Sequence, residues 1–185
     1  SDPNPKVSGR GIKKLREAGC HVISGVLAEE CDTLNKRFFT FHKLQRPYIM
    51  LKWAQSADRY LAPATRPKEK KPLWITNTIS RQLVHKMRAE EEAILVGTTT
   101  VIEDNPQLTV RDWEGNSPLR IVLDRCLRIP KDAAVLNAEV PTLVFTEKTT
   151  ASKENIDFVH LDFDLPLADQ ICKILYNKGI QSLIV

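Results

Sequence analysis

The sequence predicts an α/β fold built on a mostly parallel sheet with flanking helices. Short apolar runs such as 93–96 (AILV) and 119–124 (LRIVLD) have the length of buried strands. Stretches with apolar residues at helical spacing separate them. The stretch 93–111 (AILVGTTTVIEDNPQLTVR) ends its apolar run in glycine and three threonines, then an acid, an Asn-Pro turn and an arginine. A buried strand that stops this way suits the rim of an α/β active site.

The elements follow in order. Residues 9–17 carry Ile12 and Leu15 on one helical face, ended by Ala18-Gly19. A short strand is expected over 21–26 (HVISGV), then one helix over 29–44 backed by Leu34, Phe38, Phe39 and Phe41. This strand-poor start cannot close a sheet alone. It reads as the tail of a preceding domain with a connecting helix, so residues 1–45 and 46–185 are separate domains.

The second region opens at Arg46-Pro47 with a strand over 48–54 (YIMLKWA), interrupted by Lys52. A loop rich in Pro, Lys and Arg fills 59–72, and extended structure resumes over 73–76. Thr76 or Asn77 caps a helix running to about Ala89, with Ile79, Leu83, Val84 and Met87 facing inward. The strand 93–96, a short helix over 99–103 and strands over 119–124, 142–146 and 158–161 come next. A helix over 167–176 rests on Leu167, Ile171, Ile174 and Leu175, Gly179 stops it, and 182–185 begins a last strand. Because the chain halts inside that apolar strand, a truncated protein is expected, with a loop beyond it missing.

Composition narrows the function. The 185 residues are 42% apolar and 27% charged, as in soluble globular proteins. No apolar run is long enough to span a membrane, and the first residues lack a signal-peptide pattern, so a cytoplasmic protein is expected. The net charge of +4 does not demand nucleic acid and suits an anionic small molecule equally well. The basic run 66–71 (RPKEKK) is either a solvated loop or a flap that attracts phosphates. Four scattered cysteines form no C-x-x-C, and reduced thiols packed inside are the expectation. No metal is inferred.

Several polar groups fall where ligands bind parallel sheets, at the carboxyl ends of strands. Lys52 is either an active-site lysine or one whose ammonium snorkels at a sheet edge. Trp74 either packs in the core or lies flat against a ligand ring. Gly97–Thr100 opens a short helix whose N–H groups favour anions. Asp104 suits a ribose hydroxyl or an Asx turn into Pro106. Arg88 at a helix end and Arg111 after a strand are natural forks for a phosphate.

The segments 47–54, 74–76, 88–90, 93–111 and 120–124 together resemble the reductase domain of the bifunctional riboflavin-biosynthesis deaminase/reductase, over roughly residues 46–185. The combined D-x-P-x-L-T-V-R pattern of 104–111 is the most specific part. Residues 2–5, 9–19 and 25–27 resemble the end of that family's α/β deaminase domain. The resemblance implies a dihydrofolate-reductase-like fold, preceded by a partial deaminase tail of the cytidine-deaminase kind. It implies NADPH as cofactor and reduction of 5-amino-6-(5-phosphoribosylamino)uracil by hydride transfer to ribose C1′. Zinc belongs only to the upstream deaminase site, whose motifs this sequence lacks, so deaminase activity is expected only of the full-length protein.

Carried onto matching positions, Ala54, Trp74, Thr100 and Asp104 would line the NADPH site. Arg88, Leu108 and Arg111 would hold the phosphorylated pyrimidine substrate, with Lys52 as the catalytic residue near the reacting ribose. Pro72 stands where the family has a substrate-contacting serine, and Arg125 where it has a small polar residue contacting cofactor. Arg59 stands where the family commonly has glycine after Ser-x-Asp. The expected partner is this small molecule, with no nucleic acid and no membrane; a homo-oligomer is allowed but not required. The competing readings are a pteridine or folate-type reductase and a non-catalytic nucleotide-binding remnant.

Overall fold

The structure is a computed structural model that describes residues 2–3, 7–63 and 74–185. The expected loop 59–72 and the extended segment 73–76 therefore lie partly outside the described residues, and Pro72 and the basic run 66–71 wholly so. The chain divides into two compact units, 1–48 with 172–181, and 49–171 with 182–185.

The first unit is helical in its N-terminal part. It carries α1 (Arg10–Glu17), α2 (Ala28–Leu34) and α3 (Lys36–Leu44). The single helix expected over 29–44 is broken at Asn35, whose backbone leaves helical geometry and whose amide donates to the Cys31 carbonyl at 2.9 Å. An asparagine that satisfies the last turn with its own side chain ends a helix readily. The strand expected over 21–26 does not form. Ile23 and Val26 are exposed, and an isolated extended segment has no ladder to stabilise it. Phe41 instead packs on Tyr176 with ring centroids 4.7 Å apart. The cysteines are not interior as expected. Cys20 sits in the turn after α1, Cys31 on the exposed α2 and Cys126 in the turn after the third strand, all exposed, and Cys172 is half-buried.

The second unit carries the sheet. Its strands are β1 (Tyr48–Met50, whose first residue belongs to the other unit), β2 (Ala93–Gly97), β3 (Leu119–Leu123), β4 (Thr142–Thr146), β5 (Ile156–His160) and β6 (Ser182–Ile184). The spatial order is β1-β6-β2-β3-β4-β5. Parallel ladders join β2 to β3, β2 to β6, β3 to β4 and β4 to β5. Val185 donates to Met50 and Lys52 to Val185 in the same sense along both strands, so β1 is parallel too. The strand expected over 48–54 has a ladder only over its first residues.

The central strands are buried on both faces, as a parallel sheet requires. Val122, Val144, Ile94 and Ile184 join Val101, Leu108, Ile129 and Val135 in one core, while Ile121, Leu143 and Phe145 are also fully buried. The helices α4 (Thr78–Glu90), α5 (Thr98–Asp104) and α6 (Leu167–Asn177) separate the strands. Asn77 caps α4 as expected, its side chain accepting the Ser80 N–H at 2.9 Å. The inward face of α4 is the expected one only in part: Met87 packs on the core and Val84 is half-buried, but Ile79 and Leu83 are exposed and the buried residue is His85. The strand expected just before Arg111 does not form. Leu108 adopts a left-handed backbone there (φ 58°), which extended pairing excludes.

Candidate active site

The corner after β2 is set by hydrogen bonds from the next strand. Gly97 ends β2 and precedes α5 without capping it through a side chain. The Thr98 hydroxyl turns inward, 2.8 Å from the Leu123 carbonyl and 3.1 Å from the Asp124 carboxylate. Asp124 is fully buried and accepts the Ile129 N–H at 2.9 Å. A Cβ at Gly97 would meet nothing within 4 Å, so the backbone at this strand end faces open space. Thr100 is exposed on the following turn, and Asp104 is half-buried at the other end of α5.

The second part is a polar seam between α4 and residues 109–112. The Arg88 guanidinium donates to the Thr109 carbonyl at 3.0 Å. His85 Nδ1 accepts the Arg111 N–H at 3.0 Å, and its Nε2 lies 3.7 Å from the Asp112 carboxylate. Arg81 lies 3.9 Å from the same carboxylate. Arg81, His85 and Arg88 are four and three residues apart, which places them on one helical stripe. The apolar residues at 79, 83, 84 and 87 draw attention away from this stripe in the sequence. The i, i+4, i+7 polar spacing is the signal that marks it.

Three cations crowd one region. Arg88 is depressed to about 10, first by desolvation and then by the Arg111 charge, with Asp112 partly offsetting both. Its Nε is buried without a hydrogen-bond partner. Lys52 is also lowered, by desolvation and then by Arg88, although much of its side chain is exposed. Arg111 braces itself through Gln107 and the Thr109 hydroxyl, both at 2.9 Å. A buried donor without an acceptor, beside like charges, favours an anion.

The remaining expected residues are placed differently. Ala54 is half-buried after β1, and Trp74 is exposed with the Arg81 guanidinium 4.4 Å from its ring centroid. Trp74 therefore does not pack in the core, and its ring is held by a cation–π contact. Leu108 is a core residue, so any ligand contact from it runs through its main chain. Arg125 is paired with Glu147 at 2.9 Å and Asp164 at 3.1 Å. After β1, Ser56 and Asp58 hydrogen-bond to each other, and Tyr60 N–H donates to the Ser56 hydroxyl at 3.0 Å. Arg59 takes the left-handed conformation there (φ 69°), so the turn keeps a geometry suited to glycine without one.

Comparison with known proteins agrees with this architecture. The RibD C-terminal domain model matches residues 47–185. The riboflavin biosynthesis protein RibD of Aquifex aeolicus is 47% identical over 157 residues, covering 84% of this chain and 43% of that protein. RibD of Bacillus amyloliquefaciens is 36% identical over 193 residues, covering 100% of this chain and 51% of that protein. The chain thus spans about half the length of the curated relatives it matches. Among solved structures, the Thermotoga maritima diaminohydroxyphosphoribosylaminopyrimidine deaminase/5-amino-6-(5-phosphoribosylamino)uracil reductase superposes with a TM-score of 0.86 at 38% identity. That match covers 100% of this chain and 51% of that one. The Saccharomyces riboflavin biosynthesis reductase Rib7 shares the fold alone, with a TM-score of 0.60 at 20% identity over 82% of this chain and 71% of that one. A parallel sheet in this strand order, the 104–111 motif seated on it and a match over all of 47–185 identify the chain as a member of the RibD C-terminal domain family.

Proposed function

We propose that the protein reduces 5-amino-6-(5-phosphoribosylamino)uracil to its ribitylamino product in riboflavin biosynthesis, with NADPH as reductant. The observation that carries this reading is the cation cluster, in which Arg88 keeps a buried, unpartnered Nε beside Arg111 and Lys52. A phosphate monoester would neutralise that cluster and complete the Arg88 hydrogen bonds. A pteridine without phosphate would leave it unsatisfied.

In this reading residues 46–185 form the reductase domain, residues 1–45 belong to a preceding deaminase domain, and the full-length protein also deaminates the pyrimidine precursor in the cytoplasm. Arg88 and Arg111 bind the phosphate and so fix where the ribose lies. The Leu108 main chain borders the substrate, and Pro72 takes the place of a polar contact. Lys52, with its proton affinity reduced, holds a proton on Nζ for the sugar oxygen as the ring opens.

The donor set fits a nicotinamide nucleotide. The Gly97 backbone is open, the Thr100 hydroxyl is exposed and a carboxylate, Asp104, follows on the same short helix. Ala54 and Trp74 supply apolar surface, and Arg125 joins the cofactor set already paired with Glu147 and Asp164. When bound, the cofactor supplies the hydride, and the protein's part is positioning and exclusion of water. The test is NADPH oxidation by the full-length protein with the phosphoribosylaminouracil substrate. Turnover that falls about 100-fold or more in Lys52→Met supports the reading. No oxidation by the unaltered protein overturns it.

A further inference from the structure

His85 is the buried member of the α4 stripe and belongs to none of the roles assigned above. Its Nδ1 is a hydrogen-bond acceptor for the Arg111 main chain, which requires that nitrogen to carry no proton. The ring proton then sits on Nε2, facing Asp112. Arg111 cannot move its main chain without breaking this bond, and Thr109 is tied to Arg88 two residues earlier. His85 and Arg88 therefore anchor the main chain of 109–111 to one stripe of α4, and with it the root of the Arg111 side chain.

We propose that His85 is a positioning residue: in its neutral Nε2–H form it holds the Arg111 backbone so that Arg88 and Arg111 together receive the phosphate end of the ligand. This rests on the reading that the Arg88–Arg111 pair binds a phosphate. Protonation of Nδ1 sets N–H against N–H and breaks the bond. The charges facing the ring are Arg81 and Arg88 from α4, and Arg111 and Asp112 from the facing segment. Desolvation comes first in favouring the neutral form, and the three cations add to it while Asp112 opposes them. Acid therefore loosens the phosphate grip.

Two variants separate positioning from bulk structure. His85→Asn places an uncharged acceptor oxygen near the Nδ1 position, and His85→Leu has none. In the full-length protein with the phosphoribosylaminouracil substrate, His85→Leu should raise KM about tenfold or more while kcat stays within about threefold. His85→Asn should stay near the unaltered KM and abolish the rise in KM expected of the unaltered protein as pH falls through the His85 titration, which lies below the ordinary imidazole value. In the natural protein, two-bond ¹⁵N–¹H NMR should show the Nε2–H tautomer, and the Arg111 amide should shift with the His85 titration. An Nδ1–H tautomer, an Arg111 amide indifferent to that titration, or equal KM changes in both variants would overturn the proposal. The NMR readouts need no substrate, so they decide the role of His85 even where absence of turnover has overturned the reductase reading. If His85→Leu does not fold, His85→Asn and its pH profile carry the same decision.

Discussion

The Asp124 carboxylate, fully buried just after β3, lies 3.1 Å from the Thr98 hydroxyl that begins α5. The bond joins the ends of two adjacent strands and fixes the path of the chain into 98–104. Asp124 also satisfies the Ile129 N–H. Replacing Asp124 by Ala should cost about 1–3 kcal/mol, because the Ile129 N–H loses its acceptor inside the fold, while the Thr98 hydroxyl keeps the Leu123 carbonyl. Thr98→Val should cost about 1 kcal/mol, since the shape is kept and one hydroxyl is lost. Urea denaturation of the two variants checks the order.

Gly115 lies against α4 at a point where no side chain fits. Its φ is 133°, and a Cβ there would stand 2.8 Å from the Ala89 Cβ. Gly115→Ala should destabilise by about 1–3 kcal/mol through overpacking and backbone strain. Ala89→Gly in the same chain should recover part of the loss but not all, because only the clash is removed. A double-mutant cycle by thermal or urea unfolding measures the two contributions.

Arg59 occupies a left-handed position that L side chains enter at a cost. Arg59→Gly should stabilise the protein by roughly 0.5–1 kcal/mol, the strain relieved minus the extra chain entropy that glycine loses on folding. An unchanged or lower denaturation midpoint would show that the turn is already unstrained.

On the proposed reading, Arg88 serves the ligand rather than stability. Arg88→Met removes one hydrogen bond to Thr109 but also removes a buried unpartnered N–H and repulsion from Arg111. These effects oppose one another, so stability should stay within about 1 kcal/mol. Affinity for ribose 5-phosphate should fall about 10- to 100-fold, the loss of one charge-assisted contact. Calorimetric titration beside chemical denaturation compares the two quantities.

The pH dependence of folding has a definite sign at His85. Its proton affinity is lowered in the fold from the ordinary value of 6.5, by desolvation first and then by Arg88. Between the folded value and 6.5 the unfolded chain binds more protons, so stability falls as pH drops through that window. His85→Asn should flatten the slope of denaturation free energy there, and an unaltered slope would assign it to other groups.

The parallel sheet was legible because its strands are short apolar runs, and burial on both faces demands that pattern whatever the neighbours are. The strand 142–146, the Asn77 cap and the stop at Gly179 were readable for similarly local reasons. The α4 orientation was only partly so. Of its expected inner residues, Met87 packs on the core and Val84 is half-buried, but Ile79 and Leu83 are exposed, and the face toward 109–112 carries Arg81, His85 and Arg88. Their hydrogen-bond and ion-pair partners lie on residues 109 and 111–112, more than twenty positions along the chain. The same distance hid the partners of Arg125, because Glu147 and Asp164 meet it only after β4 and β5 have been laid alongside β3.

Taken alone, the sequence determined the fold class, the strand–helix alternation and the motif at 104–111, all of which depend on local pattern. The tertiary structure decided which groups share an environment. It set Arg88 beside Lys52 and Arg111, placed Leu108 in the core and turned His85 toward the Arg111 main chain. Those outcomes depend on through-space charge, desolvation and hydrogen-bond geometry between residues distant in sequence, and linear spacing encodes none of the three.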